Sequence, residues 1–183
     1  QQQQALQAVN QDLERQSQTD GLTGLANRRQ FDHALLREHA RQQRTGAPLS
    51  LLMVDLDHFK HVNDRYGHAI GDDYLRAVAR VLNTSVTRAT DLAARYGGEE
   101  FVCLLPETAA TDAQMLAERI RQGVSSMALP NELASPPHLT LSIGVATLLG
   151  GKTDAAQLLA QADEQLYAAK HAGRDRVHAV VLR

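Results

Sequence analysis

The sequence of 183 residues has a single cysteine, Cys103, so no internal disulfide can form, which fits a reducing compartment. Cys103 stands inside an apolar segment, and its ordinary role there is that of a small buried hydrophobe. No apolar run approaches the ~20 residues of a membrane-spanning helix. The amino terminus lacks the basic-then-apolar pattern of a signal peptide, and the expected location is cytoplasmic. There is no excess of positive charge: the formal net charge is −2 and the pI about 6.5. A broadly basic nucleic-acid surface is thereby excluded, and any phosphate site must be local or built with metal. No internal repeat is present. What remains is an apolar content of 43%, enough for one ordinary core plus a short appendage.

That appendage is residues 1–18. Leu6, Val9 and Leu13 are spaced three and four apart, a thin helical stripe too short to be stable alone. It reads either as the end of a longer helix or coiled coil from an upstream region, or as a frayed tail. The chain opens on a run of glutamines, which suggests a piece of something longer. From Asp20 to Leu25 the chain is punctuated by glycines. Asn27 then suits an N-cap, and the helix after it buries Phe31, Ala34 and Leu35 and stops near Gly46. Leu49 to Leu56 is a nearly continuous apolar run, hence a strand covered on both faces. A helix follows Asp72 with Leu75, Val78 and Leu82 as its apolar face; Asp72 is expected at its start, where the helix dipole favours an acid.

Gly97 and Gly98 separate two apolar runs, Asp91–Arg95 and Phe101–Leu105. The pair predicts a two-residue hairpin turn, because glycine tolerates the positive φ such turns need. A helix opening at Thr111–Asp112 should bury Leu116, Ile120, Val124 and Met127. Leu139–Thr147 has strand character, with Gly144 a candidate bulge. A last helix over 153–171 presents Leu159, Ala162, Leu166 and Ala169, ends at Gly173 as a C′ glycine, and precedes a strand over Val177–Leu182. The alternation predicts an α+β domain, a mixed sheet surrounded by helices.

Chemistry concentrates at two places. Asp55 ends a buried strand, where a carboxylate is costly unless it is paired, bound to metal or reaches water. Glu99 and Glu100 follow the two glycines directly. If the two strands are neighbours, their acids converge at one end of the sheet. Magnesium is a hard cation that takes one or two carboxylates together with substrate phosphates, and it reverses the local sign for a polyanion.

The segments 20–29 (Asp-Gly-Leu-Thr-Gly-Leu-Ala-Asn-Arg-Arg), 55–64 (Asp-Leu-Asp-His-Phe-Lys-His-Val-Asn-Asp), Gly67–Asp72, Gly97–Phe101, 142–146 (Ser-Ile-Gly-Val-Ala) and Ala162–Lys170 resemble, in order and spacing, the motifs of GGDEF domains, the diguanylate cyclases. The resemblance runs from Asp20 to about Val177 and implies a catalytic domain over 19–183, with a fold similar to polymerase palms and class III nucleotide cyclases. It implies condensation of two GTP into cyclic di-GMP with release of two pyrophosphates, by a homodimer holding one GTP per subunit. It also implies Mg2+, with Mn2+ as a substitute, held by Asp55, Glu99 and the Leu56 carbonyl. Glu100 is then either base or second metal support, and Lys60 a phosphate-side lysine. Asn63 and Asp72 match guanine readers, Gly97 and Gly98 admit the phosphates, and Lys170 and Arg174 hold the terminal phosphates. Arg88, Asp91 and Arg119 match an inhibitory site for the product; on local grounds Arg88 and Asp91 are equally a surface ion pair. An upstream sensory domain is expected, with no nucleic-acid or membrane partner. Asp175 stands where the family commonly has asparagine, and its charge is expected to weaken the phosphate contact slightly. The rival readings are a silent domain that binds GTP or cyclic di-GMP, and a cyclase making a single-nucleotide product.

Overall fold

The computed structural model covers residues 1–183 and describes all of them except the side chains of 14–16. The elements are α1 (Gln2–Gln16), α2 (Arg28–Thr45), β1 (Leu49–Leu56), α3 (Phe59–Tyr66), α4 (His68–Ser85), β2 (Leu92–Arg95), β3 (Glu100–Pro106), α5 (Ala110–Ser126), β4 (Leu141–Leu148), α6 (Ala155–His171) and β5 (Arg176–Leu182). One mixed sheet runs in the order β2-β3-β1-β4-β5, antiparallel except for the β4–β5 pair. This is the α+β architecture that the sequence predicts.

Side-chain parity divides the core into two layers. Leu52, Val54 and Leu56 of β1 join Phe101 and Cys103 of β3 in a cluster with α3, α4 and α5. Leu51 and Met53 face the other way, with Val102 and Leu104, onto α2 and α6. Both faces are covered, which is why β1 and β4 are buried at every position although most of the sheet is antiparallel. Cys103 sits in β3 with no exposed surface, and burial pushes its thiol pKa up to about 12.

The helix ends follow ordinary chemistry. The Asn27 side chain accepts from the Gln30 amide at 3.0 Å, and Gly46 closes α2 at φ 71°. Asp154 and Gln157 form a reciprocal capping box on α6. At the other end of α6 the Gly173 and Arg174 amides donate to the Lys170 and Ala169 carbonyls, the two bonds of a Schellman closure.

Several expectations are corrected. The connection between β2 and β3 has four residues, 96–99, and neither Gly97 nor Gly98 has positive φ. Arg95 lies across this loop and donates to the Gly97 and Gly98 carbonyls at 3.2 and 2.8 Å, so a wider loop replaces the tight turn. Gly144 lies in unbroken register opposite Met53 and is no bulge. A Cβ there would lie 2.2 Å from the Ala162 carbonyl oxygen and 2.2 Å from the Leu166 nitrogen, so glycine is needed for the close approach of α6. Residues 59–66, unassigned from sequence, form α3. Because α4 begins at His68, Asp72 lies in its second turn rather than at its start. Ala113 and Ala117 complete the buried stripe of α5, with Leu116 and Met127 only partly buried; on α6 Leu158 is buried and Leu159 partly so. Ala113 and Ala117 let the α5 backbone come close to the sheet, and a stripe read from large side chains passes over them.

Candidate active site

The β1 strand delivers Asp55 to one end of the sheet, where its Cα pairs with that of Glu100 across the β1–β3 ladder. The next residue, Leu56, donates its amide to the Glu99 carbonyl at 3.3 Å. Asp55, Leu56, Glu99, Lys60, Lys170 and Arg174 all line one cleft of about 220 Å³, together with 57–59 and His61. A larger groove of about 370 Å³ lies between α1 and α2, and among the described residues it is lined by Gln11, Arg29, His33 and Arg37 together with other groups that include no carboxylate.

Electrostatics sets the cleft apart. Asp55 is 3% exposed and pairs with the Lys170 ammonium. Burial pushes its pKa up to about 6 against the opposing pull of Lys170, with the Glu99 and Glu100 charges adding to the rise. Glu99 is also shifted upward, first by burial and then by Glu100, again opposed by Lys170. Two carboxylates that are hard to ionise side by side create a demand for a cation, and Lys170 meets part of it. The donor set fits a hard divalent ion: two carboxylates and a backbone carbonyl, all oxygen. Among the described residues no three His, Cys, Asp or Glu side chains are grouped so as to hold a metal ion, so such a set draws on the main chain and the substrate for its remaining ligands.

The surroundings hold these groups in place. The segment before α2 is a brace for the glycine loop: the Arg95 amide donates to the Ala26 carbonyl at 2.9 Å, and the Arg95 guanidinium pairs with Asp20 at 3.3 Å. Burial would raise the Asp20 pKa, but hydrogen bonds from Thr23 and the charge of Arg95 outweigh it and lower the net value. Tyr96 is fixed between Phe31, edge-on at 5.9 Å, and the Arg28 guanidinium 4.3 Å over its ring.

Asp57 went unassigned in the sequence reading. It is 3% exposed and accepts from Thr140 at 2.8 Å, Ser142 at 2.6 Å and the Asp175 amide at 3.0 Å. It fastens the end of β1 to β4 and to the α6–β5 turn. His58 adopts φ 53°, and its ring stacks on His61 at 5.2 Å. Burial, then Arg174 and His61, hold its pKa down. Asp175, expected to burden the phosphate end, instead pairs with Arg121 at 2.7 Å, so its charge is compensated.

Asn63 and Asp72 lie outside the cleft lining, where α3 packs on α4. A Cβ on Gly71 would fall 2.0 Å from the Asn63 amide oxygen, so the missing side chain makes room for that amide one residue from Asp72. A second hollow, about 230 Å³, is lined by Arg88, Asp91, Asp112 and Leu116 among others. Arg88 pairs with Asp91 at 3.2 Å, donates to Thr108 at 2.7 Å and also reaches the Pro106 carbonyl. Arg119 is exposed and is not among that hollow's lining residues, but it shares a face of α5 with Asp112 and Leu116 by helical spacing.

Comparison with known proteins bears on the family and the fold. The family model described as diguanylate cyclase, GGDEF domain, matches residues 17–176. The response regulator PleD of Caulobacter vibrioides is 45% identical over 163 residues, 87% of this chain and 35% of PleD. Diguanylate cyclase DgcM of Escherichia coli is 44% identical over 165 residues, 90% of this chain and 39% of DgcM. The chain thus spans little more than a third of these relatives. Among solved structures, the coiled coil and GGDEF domain of DgcB from Caulobacter crescentus, in complex with c-di-GMP, superimposes with a TM-score of 0.84 at 36% identity, covering 97% of this chain and 93% of that one. The active GGEEF domain of a Vibrio cholerae diguanylate cyclase gives 0.76 at 35% identity, covering 85% and 97%.

Proposed function

The chain belongs to the GGDEF diguanylate cyclase domain family, and from that premise we propose that it condenses two GTP molecules into cyclic di-GMP, releasing two pyrophosphates. The observation that carries this reading is the convergence of Asp55, Glu99, Lys170 and Arg174 on one cleft. Asp55, Glu99 and the Leu56 carbonyl would hold Mg2+, or Mn2+ in its place. The ion, when bound, would supply Lewis-acid stabilisation of phosphate charge.

The protein's own groups do the rest. Lys60, Lys170 and Arg174 bind the phosphates, and the bare backbone at Gly97 and Gly98 lets them approach. Asn63 and Asp72 read guanine, a carboxylate accepting from its two N–H donors and an amide meeting its acceptor edge. Glu100 stands nearest the attacking 3′-hydroxyl, either as its base or as a second metal support.

Each subunit holds one GTP, and two subunits meet so that each 3′-hydroxyl attacks the α-phosphate of the opposite nucleotide. Product binds at Arg88, Asp91 and Arg119, where guanidinium groups suit phosphates and guanine edges. The c-di-GMP bound to DgcB supports a ligand of this kind. Incubation with GTP and magnesium, followed by chromatography, tests the reading. Cyclic di-GMP from the wild type, and none from folded Glu99→Ala, is the expected result; binding of GTP without product would indicate a silent domain.

A further inference from the structure

The turn between α6 and β5 carries Arg174 into the cleft in a demanding backbone form. Arg174 has φ 63° and Asp175 φ 50°, two successive non-glycine residues in the left-handed region. There the Cβ crowds the neighbouring carbonyl, and such a conformation persists only where its surroundings impose it. Main-chain contacts supply part of the constraint. The Arg174 amide donates to the Ala169 carbonyl at 3.0 Å, the Asp175 amide to Asp57 at 3.0 Å, and the Arg174 carbonyl accepts from Arg176 at 2.9 Å.

One further contact reaches the turn from a different helix. Arg121 of α5 donates through Nη1 to Asp175 Oδ1 at 2.7 Å, while its Nε donates to Glu118 Oε2 at 3.0 Å. The two acids therefore grip separate edges of one planar fork, and the Arg121 side chain is only 19% exposed. No lining residue of the cleft comes from α5, so Arg121 acts there only through Asp175.

We propose that the Arg121–Asp175 ion pair is a clamp that positions Arg174 for the terminal phosphates of a nucleoside triphosphate. Arg121 is accordingly a positioning residue. The clamp rests on the proposed role of Arg174 as a phosphate ligand. It also gives a use to the aspartate at 175: a carboxylate there offers Arg121 a charge as well as a hydrogen bond, where asparagine would offer only the hydrogen bond. Asparagine tolerates the left-handed region well, so Asp175→Asn removes the charge while keeping the backbone preference.

The decisive measurement is calorimetric titration of the full chain with magnesium and 3′-deoxy-GTP, which lacks the attacking hydroxyl and binds without turning over. Asp175→Asn and Arg121→Gln are each expected to weaken binding about 3- to 10-fold, with Arg121→Lys intermediate. In an Arg174→Ala background neither substitution should have further effect, a signature that general destabilisation would not produce. Affinities equal to wild type in both single variants, or losses that persist without Arg174, overturn the clamp. A wild type that binds the analogue but makes no cyclic di-GMP from GTP overturns the proposed function and leaves the clamp standing on its own result. A wild type that does not bind the analogue at all overturns both.

Discussion

Asp55 faces an ammonium group from inside the sheet, and its protonation is open to test. Its pKa is about 6 in the folded protein against an ordinary 3.8. Between these values the folded state binds a proton that the unfolded chain does not, so stability falls as pH rises through the interval and levels off above 6. The gap between these two values corresponds to roughly 3 kcal/mol. Urea unfolding of magnesium-free protein from pH 4 to 8 should show this decline, and Asp55→Asn should flatten it. Protons compete with cations for the same oxygens, so affinity for magnesium-GTP should drop as pH falls below about 6. Gly71 is a second single-residue test. In Gly71→Ala the new methyl must displace the Asn63 amide, whose oxygen would lie 2.0 Å away. A rise in the KM for GTP of about tenfold is expected, the loss of one or two hydrogen bonds, with weaker preference for GTP over ATP and little change in the far-ultraviolet spectrum. A wild-type KM would deny Asn63 its role in reading guanine.

Between elements, the contact of β4 with α6 is the one that tolerates least. Gly144→Ala places a Cβ 2.2 Å from two backbone atoms of α6, and backbone cannot rotate aside as a side chain can. A loss of about 2–3 kcal/mol is expected from such overpacking, read as a lower urea midpoint with an unchanged slope. The same contact illustrates what can be read in a sequence. The strands were legible because a sheet covered on both faces writes continuous apolar runs, and the acids at its end were legible because Asp55 interrupts such a run. Gly144 stood out as a glycine in a strand, but whether it marks a bulge or a close approach depends on a helix some twenty residues later in the chain. The α3 helix escaped notice because eight residues with only Phe59 and Val62 buried leave too short a stripe. Asp57 and the Arg121–Asp175 pair were hidden for a different reason: their partners lie 54 to 118 positions away along the chain, and no local pattern encodes such distances.

At the scale of the whole molecule, α1 presents Leu6, Val9 and Leu13 at 61%, 54% and 57% exposure, an exposed apolar stripe. If two subunits must meet, this stripe raises the effective concentration of one domain near its twin. Removal of residues 1–18 should then lower specific activity at nanomolar protein and restore it as concentration rises; equal activity at every dilution would separate α1 from assembly. Control by product should be sensitive to Arg88. Arg88→Ala is expected to raise the cyclic di-GMP concentration for half-inhibition at least tenfold, about 1.4 kcal/mol of binding, checked by progress curves with added product. Cys103, finally, lies sealed within the strand next to the central one, with a thiol that resists ionisation. A thiol-reactive dye can reach it only when the sheet parts, so its labelling rate at neutral pH is a native clock for that opening. Slower labelling in the presence of nucleotide would show how far ligand at the rim tightens the interior.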